Sequence, residues 1–163
     1  MTLPEKKQLE NVFAPSLKAS GFKKRGSTWH RRVGDAIQVI NIQGSQWSRI
    51  FYINLGVYLL EFGTEEHPAS HNCHLRSRLD RFVPDIEHLA NLLDFQTRQF
   101  DEQRAREALT LLESCGIPWL EHCSNKSGFL QEAARGCFMV PHHIKAAVAQ
   151  QVVSGDAPKA ARP

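Results

Sequence analysis

The sequence predicts an α+β fold, in which an antiparallel meander sheet of four to five strands carries an N-terminal helix and C-terminal helices packed mainly on one face. Three observations predict this fold. Apolar residues recur at helical spacing near the start of the chain, β-rich runs separated by glycine turns fill residues 22–60, and helical spacing returns after residue 80. The 163-residue chain has no internal repeat and no domain-sized linker. We therefore expect one domain over 1–151 and a disordered polar tail over 152–163.

The first element is a helix over residues 4–20. Leu9, Phe13 and Leu17 recur every four positions and predict its buried stripe. Pro15 lies inside this pattern, and we expect it to kink the helix or divide it into two short pieces, because proline removes one backbone hydrogen bond. Gly21 is a natural stop at the C-terminal end.

Four antiparallel strands follow, near residues 22–25, 27–33, 35–43 and 50–60. Turn signals separate them at Arg25-Gly26, Gly34-Asp35 and Gly44-Ser45. The fourth strand alternates most clearly between an apolar face, Phe51, Ile53, Leu55, Val57 and Leu59, and a second face, Tyr52, Asn54, Gly56 and Tyr58. The third strand is apolar on both faces around residues 37–42, which is typical of a central strand.

A fifth strand is predicted over residues 72–79, within the stretch HNCHLRSRL. A helix would place Arg76 and Arg78 about 200° apart and would scatter the apolar residues as well. An extended backbone instead gives one face with Cys73, Leu75, Ser77 and Leu79 and another with His74, Arg76 and Arg78.

The remaining elements are helical. Residues 85–95 and 101–114 show helical spacing, and Cys115-Gly116-Ile117-Pro118 should end the second of these helices. Short helices are expected around 118–123, 127–135 and 141–151.

Composition indicates a soluble globular protein, with 42% hydrophobic and 23% charged residues. No apolar run is long enough to span a membrane and the start lacks the apolar core of a signal peptide, so we expect a cytoplasmic protein. The four cysteines are then read as free thiols. The net charge of +3 is uneven, because residues 1–60 carry +6 and residues 61–140 carry −5. This asymmetry permits an acidic partner or nucleic acid at the basic part of the molecule.

Two groups of residues have the chemistry of metal ligands, but their spacing does not favour a metal site. Only His67 and His71 have a spacing typical of zinc ligands, and Cys73 and His74 would point to opposite faces of a strand. We therefore predict no metal site and no cofactor. The two groups are His67, His71, Cys73 and His74, and Cys115, His122, Cys123, Cys137 and His142.

Arg76 and Arg78 form the first candidate binding feature. Side by side on a strand they can clamp a carboxylate or a phosphate through charge-assisted hydrogen bonds. Alternatively they pair with acids of the same chain, for which Glu61, Glu65, Glu66 and Asp80 are the candidates.

The hairpin over residues 23–32, KKRGSTWHRR, is the second feature. Basic residues beside Trp29, with Trp47 nearby in sequence, suit single-stranded nucleic acid. The alternative is an edge hairpin whose charges prevent unwanted strand pairing.

The polar face of the third and fourth strands is the third feature. Its amides and phenols either line a pocket or protein-binding surface, or are hydrogen-bonded internally beneath a cover. They belong to Asn41, Gln43, Tyr52, Asn54 and Tyr58.

The strand region resembles the bacterial family catalogued as domain of unknown function 4304, over residues 14–80. The motifs are a G-F-x-K-x-G turn, an aromatic-x-R before a Gly-Asp turn, and three strand motifs that end in I-N-x-Q, F-Y-I-N-x-G and C-H-x-R-x-R-L. They fall on Gly21, Phe22, Lys24 and Gly26; Trp29 and Arg31; Ile40, Asn41 and Gln43; 51–56; and 73–79. The resemblance implies the sheet and singles out Asn41, Gln43, Asn54, His74, Arg76 and Arg78 for testing, but it implies no activity.

From the residues we expect a non-enzymatic cytoplasmic binding module that recognises an acidic protein partner, such as a toxin that it neutralises. Nucleic-acid binding through residues 23–32 is the alternative. An enzyme acting on an anionic substrate, with His74 as acid or base, is the second alternative, although no catalytic signature is present and no catalytic residue is assigned. The predicted binding residues are Arg31, Asn41, Gln43, Tyr52, Asn54, Tyr58, His74, Arg76 and Arg78.

Overall fold

A computed structural model of the chain describes residues 3–135, 143–144, 146–147 and 150. Five strands form one antiparallel sheet in the order β1-β2-β3-β4-β5, so each strand pairs with its neighbours in sequence. This meander confirms the predicted α+β fold. The strands are β1 Lys23–Arg25, β2 Thr28–Val33, β3 Ala36–Gly44, β4 Phe51–Leu59 and β5 Leu75–Arg78.

The period-two alternation of β4 decides which face of the sheet is buried. Ile53 lies opposite Ile42 and Leu55 lies opposite Ile40, and all four side chains are buried beneath the helices. We call this side the helix face. The opposite side, which carries Asn41, Asn54 and Arg78, is called the outer face.

Helix α1, Pro4–Ala19, packs on the helix face as one continuous helix. We expected Pro15 to kink this helix or to divide it, and the division is wrong. Pro15 and Asn11 are both exposed, so the carbonyl that loses its hydrogen-bond partner faces solvent, while Leu17 beyond the proline is fully buried and keeps the last turn helical. Gly21 follows with a φ of 92°, which confirms the predicted stop.

The C-terminal helices cover the rest of the helix face. They are α2 Ile86–Leu92, α3 Glu102–Leu111, α4 Ile117–His122 and α5 Lys126–Ala134. The predicted stop at Cys115–Pro118 is wrong, because a π-helical segment, Leu112–Gly116, leads from α3 directly into α4. Gly116 permits this close packing, since a Cβ there would lie 2.8 Å from Leu112 Cδ1. Most of the predicted helix 141–151 and the whole predicted tail 152–163 lie outside the described residues.

A long loop, residues 60–74, crosses part of the outer face and covers it. Beneath the loop, a small apolar cluster of Ile37, Val39, Tyr58 and Cys73 is separate from the main core. The sequence pattern predicted that Cys73 and Leu75 share a face, and this prediction is wrong. Cys73 belongs to this small cluster, whereas Leu75 lies in the main core. A 3₁₀ turn, Ser70–Asn72, precedes it, and the extended alternation begins only at Leu75.

The loop approaches the sheet closely at Gly56, and this contact can be tested. A Cβ on Gly56 would lie 2.5 Å from Cys73 Sγ and 2.8 Å from Cys73 Cβ. Although alanine is better than glycine in most strands, Gly56→Ala should lower the free energy of unfolding by about 1–3 kcal/mol because of this overlap. Urea denaturation measures the change. In the double variant with Cys73→Ala the loss should be smaller, and a Gly56→Ala protein as stable as the parent would contradict the packing described.

Candidate functional site

An open cleft of about 470 Å³ lies on the part of the outer face that the loop leaves uncovered. Strands β3, β4 and β5 form its floor, and the 3₁₀ turns on either side of β5 form its walls. Nine of its ten lining residues are polar or charged, and three of them are arginines. The lining residues are Gln43, Asn54, Leu55, Ser70, His71, Arg76, Ser77, Arg78, Asp80 and Arg81.

The pairing of β5 with β4 brings Arg76 and Arg78 into this cleft. Arg76 lies opposite Gly56 and Arg78 opposite Asn54, so both arginines are on the outer face, as the alternation predicted. Arg76 donates a hydrogen bond from Nη1 to the carbonyl of His71 at 3.0 Å. The guanidinium of Arg78 lies 4.4 Å from the ring centroid of Tyr52, a cation–π contact that holds it over the sheet.

Two of the acids proposed as internal partners of the arginines have other partners, and a third, Asp80, lines the cleft without an ion pair to Arg78 or Arg81. Glu61 pairs with Lys126 at 3.0 Å, and Glu65 accepts a hydrogen bond from the Asn72 amide at 3.3 Å. Across the described part of the chain, no carboxylate lies within salt-bridge distance of Arg78 or Arg81. Arg78 and Arg81 therefore have no carboxylate paired with them among these residues, although Asp80 lines the same cleft.

The amides on the floor of the cleft bind one another. Asn54 donates from Nδ2 to Gln43 Oε1 at 2.9 Å and to Asn41 Oδ1 at 3.3 Å. Asn41 in turn donates to Thr28 Oγ1 at 3.1 Å. This ladder runs across β2, β3 and β4 and holds the floor of the cleft in a defined arrangement.

Tyr58 and His74 lie under the loop rather than in the cleft. The Nδ1 atom of His74 accepts the backbone N–H of Leu59 at 2.9 Å, and the ring stacks on Tyr58 with centroids 4.4 Å apart. The hydroxyl of Tyr58 accepts the N–H of Glu65 at 3.2 Å. Burial is the main cause that lowers the pKa of His74. This geometry gives both residues a structural role in attaching the loop to the sheet.

Arg31 lies on the helix face, away from the other predicted binding residues. Its guanidinium donates to Gln38 Oε1 and to the carbonyl of Ser20, both at 2.8 Å, and pairs with Glu121 at 3.3 Å. It therefore connects β2, β3, the end of α1 and α4, and the structure does not bring it to the cleft.

The hairpin of residues 23–32 divides its side chains between the two faces. Trp29 lies in the main core and is 1% exposed. The Lys24 ammonium lies over its ring and forms an ion pair with Glu10 at 3.0 Å. Trp29 is therefore not available for stacking on bases. Trp47 is exposed in the loop between β3 and β4.

The candidate metal ligands do not converge in the described residues, where no group of three or more His, Cys, Asp or Glu side chains could hold an ion. Burial raises the pKa of the Cys73 thiol to about 12, so it is protonated at neutral pH. Cys137 and His142 lie outside the described residues. Within those residues, no helix is long and apolar enough to cross a membrane.

Sequence reasoning missed part of the cleft. Arg81 is the main omission: it follows Arg78 by three positions, but it belongs to a 3₁₀ turn, Leu79–Arg81, that the strand pattern does not predict. The R-x-R-x-x-R spacing of the three arginines was the available signal. Ser70, His71 and Asp80 reach the cleft through the turns that flank β5 and had no such signal.

The fold and the cleft define a small α+β protein with an open antiparallel sheet and a basic cleft on the outer face of that sheet. Its family follows from a family model, Domain of unknown function (DUF4304), which matches residues 13–122. The match covers more than half of the chain, so the protein belongs to this family, as its strand motifs indicated. No curated protein and no solved structure matches the chain significantly.

The buried histidines predict a loss of stability on mild acidification. Burial lowers the pKa of His30 and of His74 below the ordinary value of 6.5. The unfolded chain then takes up protons on these rings before the folded chain does. The free energy of unfolding should be constant above about pH 7 and fall as the pH decreases through about 6.5 towards the folded pKa values.

Urea titrations across this pH range measure the effect. His74→Asn is the matched variant, because its side-chain oxygen can still accept the Leu59 N–H but does not titrate. Its stability should depend less steeply on pH than that of the parent. An identical pH dependence would show that His74 does not contribute.

Proposed function

We propose that this protein is a non-enzymatic binding module of the bacterial cytoplasm that recognises an acidic protein partner through the basic cleft. A toxin that the protein neutralises is one partner of this kind. One observation carries the proposal: Arg78 and Arg81 face the cleft with no carboxylate partner in the described part of the chain. Arginines held in this way form strong, bidentate bonds with carboxylates and guide the approach of an acidic partner.

An apolar pocket next to the cleft favours a protein partner. This small pocket of about 70 Å³ shares Arg78 and Asp80 with the cleft. Its lining is largely apolar and includes Leu89, Leu93 and the exposed side chain of Ile86. A partner segment with an apolar side chain beside acidic ones would use both surfaces, and apolar anchors surrounded by polar contacts are typical of protein interfaces.

Three free thiols support the proposed cytoplasmic location, because disulfides are typical of secreted proteins and rare in the cytoplasm. They belong to Cys73, Cys115 and Cys123. The two alternatives have less support. Nucleic-acid binding has less support because Trp29, the stacking side chain of the hairpin, is buried. An enzyme with His74 as acid or base has less support because His74 Nδ1 already accepts a backbone N–H.

Charge reversal in the cleft tests the proposal. The immobilised protein should retain a stoichiometric protein from a lysate of its own organism, before and after nuclease treatment. Replacing Arg78→Glu and Arg81→Glu together should weaken the binding of that protein by about 10- to 100-fold, because two charge-assisted contacts become repulsive. Titration of the purified partner by calorimetry measures the change.

The matched control is the double variant Lys7→Glu and Arg98→Glu, which makes the same change of net charge at exposed positions outside the cleft. It should bind as the parent does. Recovery of no stoichiometric protein, loss of the captured protein on nuclease treatment, or equal binding by the cleft variant would each contradict the proposal.

A further inference from the structure

A second group of cations lies at the opposite edge of the outer face, on β1 and β2. Lys23 lies directly opposite His30, and Arg25 lies opposite Thr28. Arg32 follows His30 by two positions in β2, so its side chain is on the same face. Three cationic side chains therefore surround one imidazole ring.

The alternation of side chains along β1 and β2 places these cations on the opposite face from the cations that form ion pairs with the helices. Lys24 and Arg31 lie on the helix face and are paired with carboxylates, as described above. Lys23 and Arg25 have no carboxylate within salt-bridge distance among the residues that the structure describes, and Arg32 donates only to the carbonyl of Gly34, at 3.2 Å. Like charges at neighbouring positions of a sheet repel, so this arrangement gains stability when an anion is bound.

His30 forms a fixed, uncharged floor for this group. The ring is 9% exposed, and its Nε2 donates to the carbonyl of Pro68 at 2.8 Å. Nδ1 is buried and has no hydrogen-bond partner in the described residues. Burial is the main cause that lowers the pKa of His30; the bond to Pro68 raises it, and His67 and Arg25 lower it further. The ring is therefore neutral at neutral pH, and the positive charge belongs to the three side chains around it.

The cluster faces a cavity of about 710 Å³, which is bounded on the loop side by Glu66 and His67. The cavity extends around the sheet edge, where Lys24 and Arg31 also line it. The His67 ring lies edge-on to His30, with centroids 5.5 Å apart. A cavity of this size accommodates a small molecule. The position of Trp29 on the helix face disfavours a nucleic-acid strand, because no base-stacking side chain of the hairpin faces this cavity.

We propose that Lys23, Arg25 and Arg32, arranged around His30, form an anion-binding site for the phosphate monoester group of a small molecule. Two guanidinium groups and one ammonium group match a dianion with three terminal oxygens better than they match a single carboxylate. The site is distinct from the basic cleft. The three cations of this site lie on β1 and β2, whereas the arginines of the cleft lie on β5 and in the turn that follows it, and four strand spacings separate β1 from β5 by about 19 Å.

NMR titration of the ¹⁵N-labelled full chain tests this site. The probes are inorganic phosphate, a nucleoside monophosphate, the matching nucleoside, and a short single-stranded RNA without terminal phosphates. Phosphate and the nucleoside monophosphate should shift the amide signals of residues 23–32 saturably, and the nucleoside should not. The His30 ring signal should titrate at higher pH in the phosphate complex than in the free protein, because a bound anion favours the protonated ring. Lys23, Arg25, Arg32, Glu66 and His67 are the charged or titratable groups on the His30 side of the cavity, and Lys24 and Arg31 line the same cavity at the sheet edge.

Three double variants show which cations bind the phosphate. Arg25→Gln with Arg32→Gln should weaken phosphate binding at least 10-fold, whereas Lys7→Gln with Arg98→Gln should leave it unchanged. Arg78→Gln with Arg81→Gln should also leave it unchanged, which distinguishes this site from the basic cleft. A dispersed spectrum confirms that each variant is folded, and Lys23→Gln alone provides a second test if the double variant of β1 and β2 does not fold.

Four results would overturn the proposal: equal phosphate binding by the Arg25→Gln, Arg32→Gln protein; loss of phosphate binding in the Arg78→Gln, Arg81→Gln protein; equal binding of the nucleoside; or tighter binding of the RNA without terminal phosphates. The last result would assign the site to phosphodiester strands instead. These outcomes do not depend on whether an acidic protein binds the cleft.

Discussion

The antiparallel register of β3, β4 and β5 is the constraint on which the rest of the structure depends. Burial of Ile53 and Leu55 beneath the helices places Asn54 on the outer face, and pairing then places Arg78 beside Asn54. A slip of one residue would move the apolar set to the outer face and the arginines into the core. Because such a slip costs several buried side chains, the position of the basic cleft follows from the hydrophobic core.

The loop over residues 60–74 divides the outer face into a covered part and an open part. Cys73 packs against Gly56, the Tyr58 hydroxyl accepts a hydrogen bond from the Glu65 N–H, and the His30 ring donates one to the Pro68 carbonyl. The side chains of Tyr58 and His30, which the sequence pattern alone places on a recognition surface, are therefore used in contacts with the loop. The uncovered remainder is the cleft at β5 and the cationic cluster at β1 and β2, so the loop also sets the borders of both candidate sites.

The basic residues that give residues 1–60 their positive charge belong to two groups, one that forms ion pairs within the fold and one that lies on the outer face. Lys24 and Arg49 form ion pairs with Glu10 and Glu5 of α1 and help to hold that helix against the sheet, and Arg31 connects the sheet to α4. The cations of opposite parity point away from the helices. A count of charges does not separate these groups, because the separation depends on which side of each strand faces the helices.

The sequence by itself determined the order of the strands and the two faces of β4, because period-two alternation and glycine turns are local signals. It began the fifth strand too early and placed Cys73 on the wrong face. It also determined that Arg76 and Arg78 share a face. Only the tertiary structure decided that Arg31 and His74 make their contacts within the fold and that Arg81 joins the cleft. It also decided that the chain passes Pro15 and Gly116 without leaving helical structure. Those outcomes depend on contacts between residues far apart in the chain, which packing creates and no local pattern records.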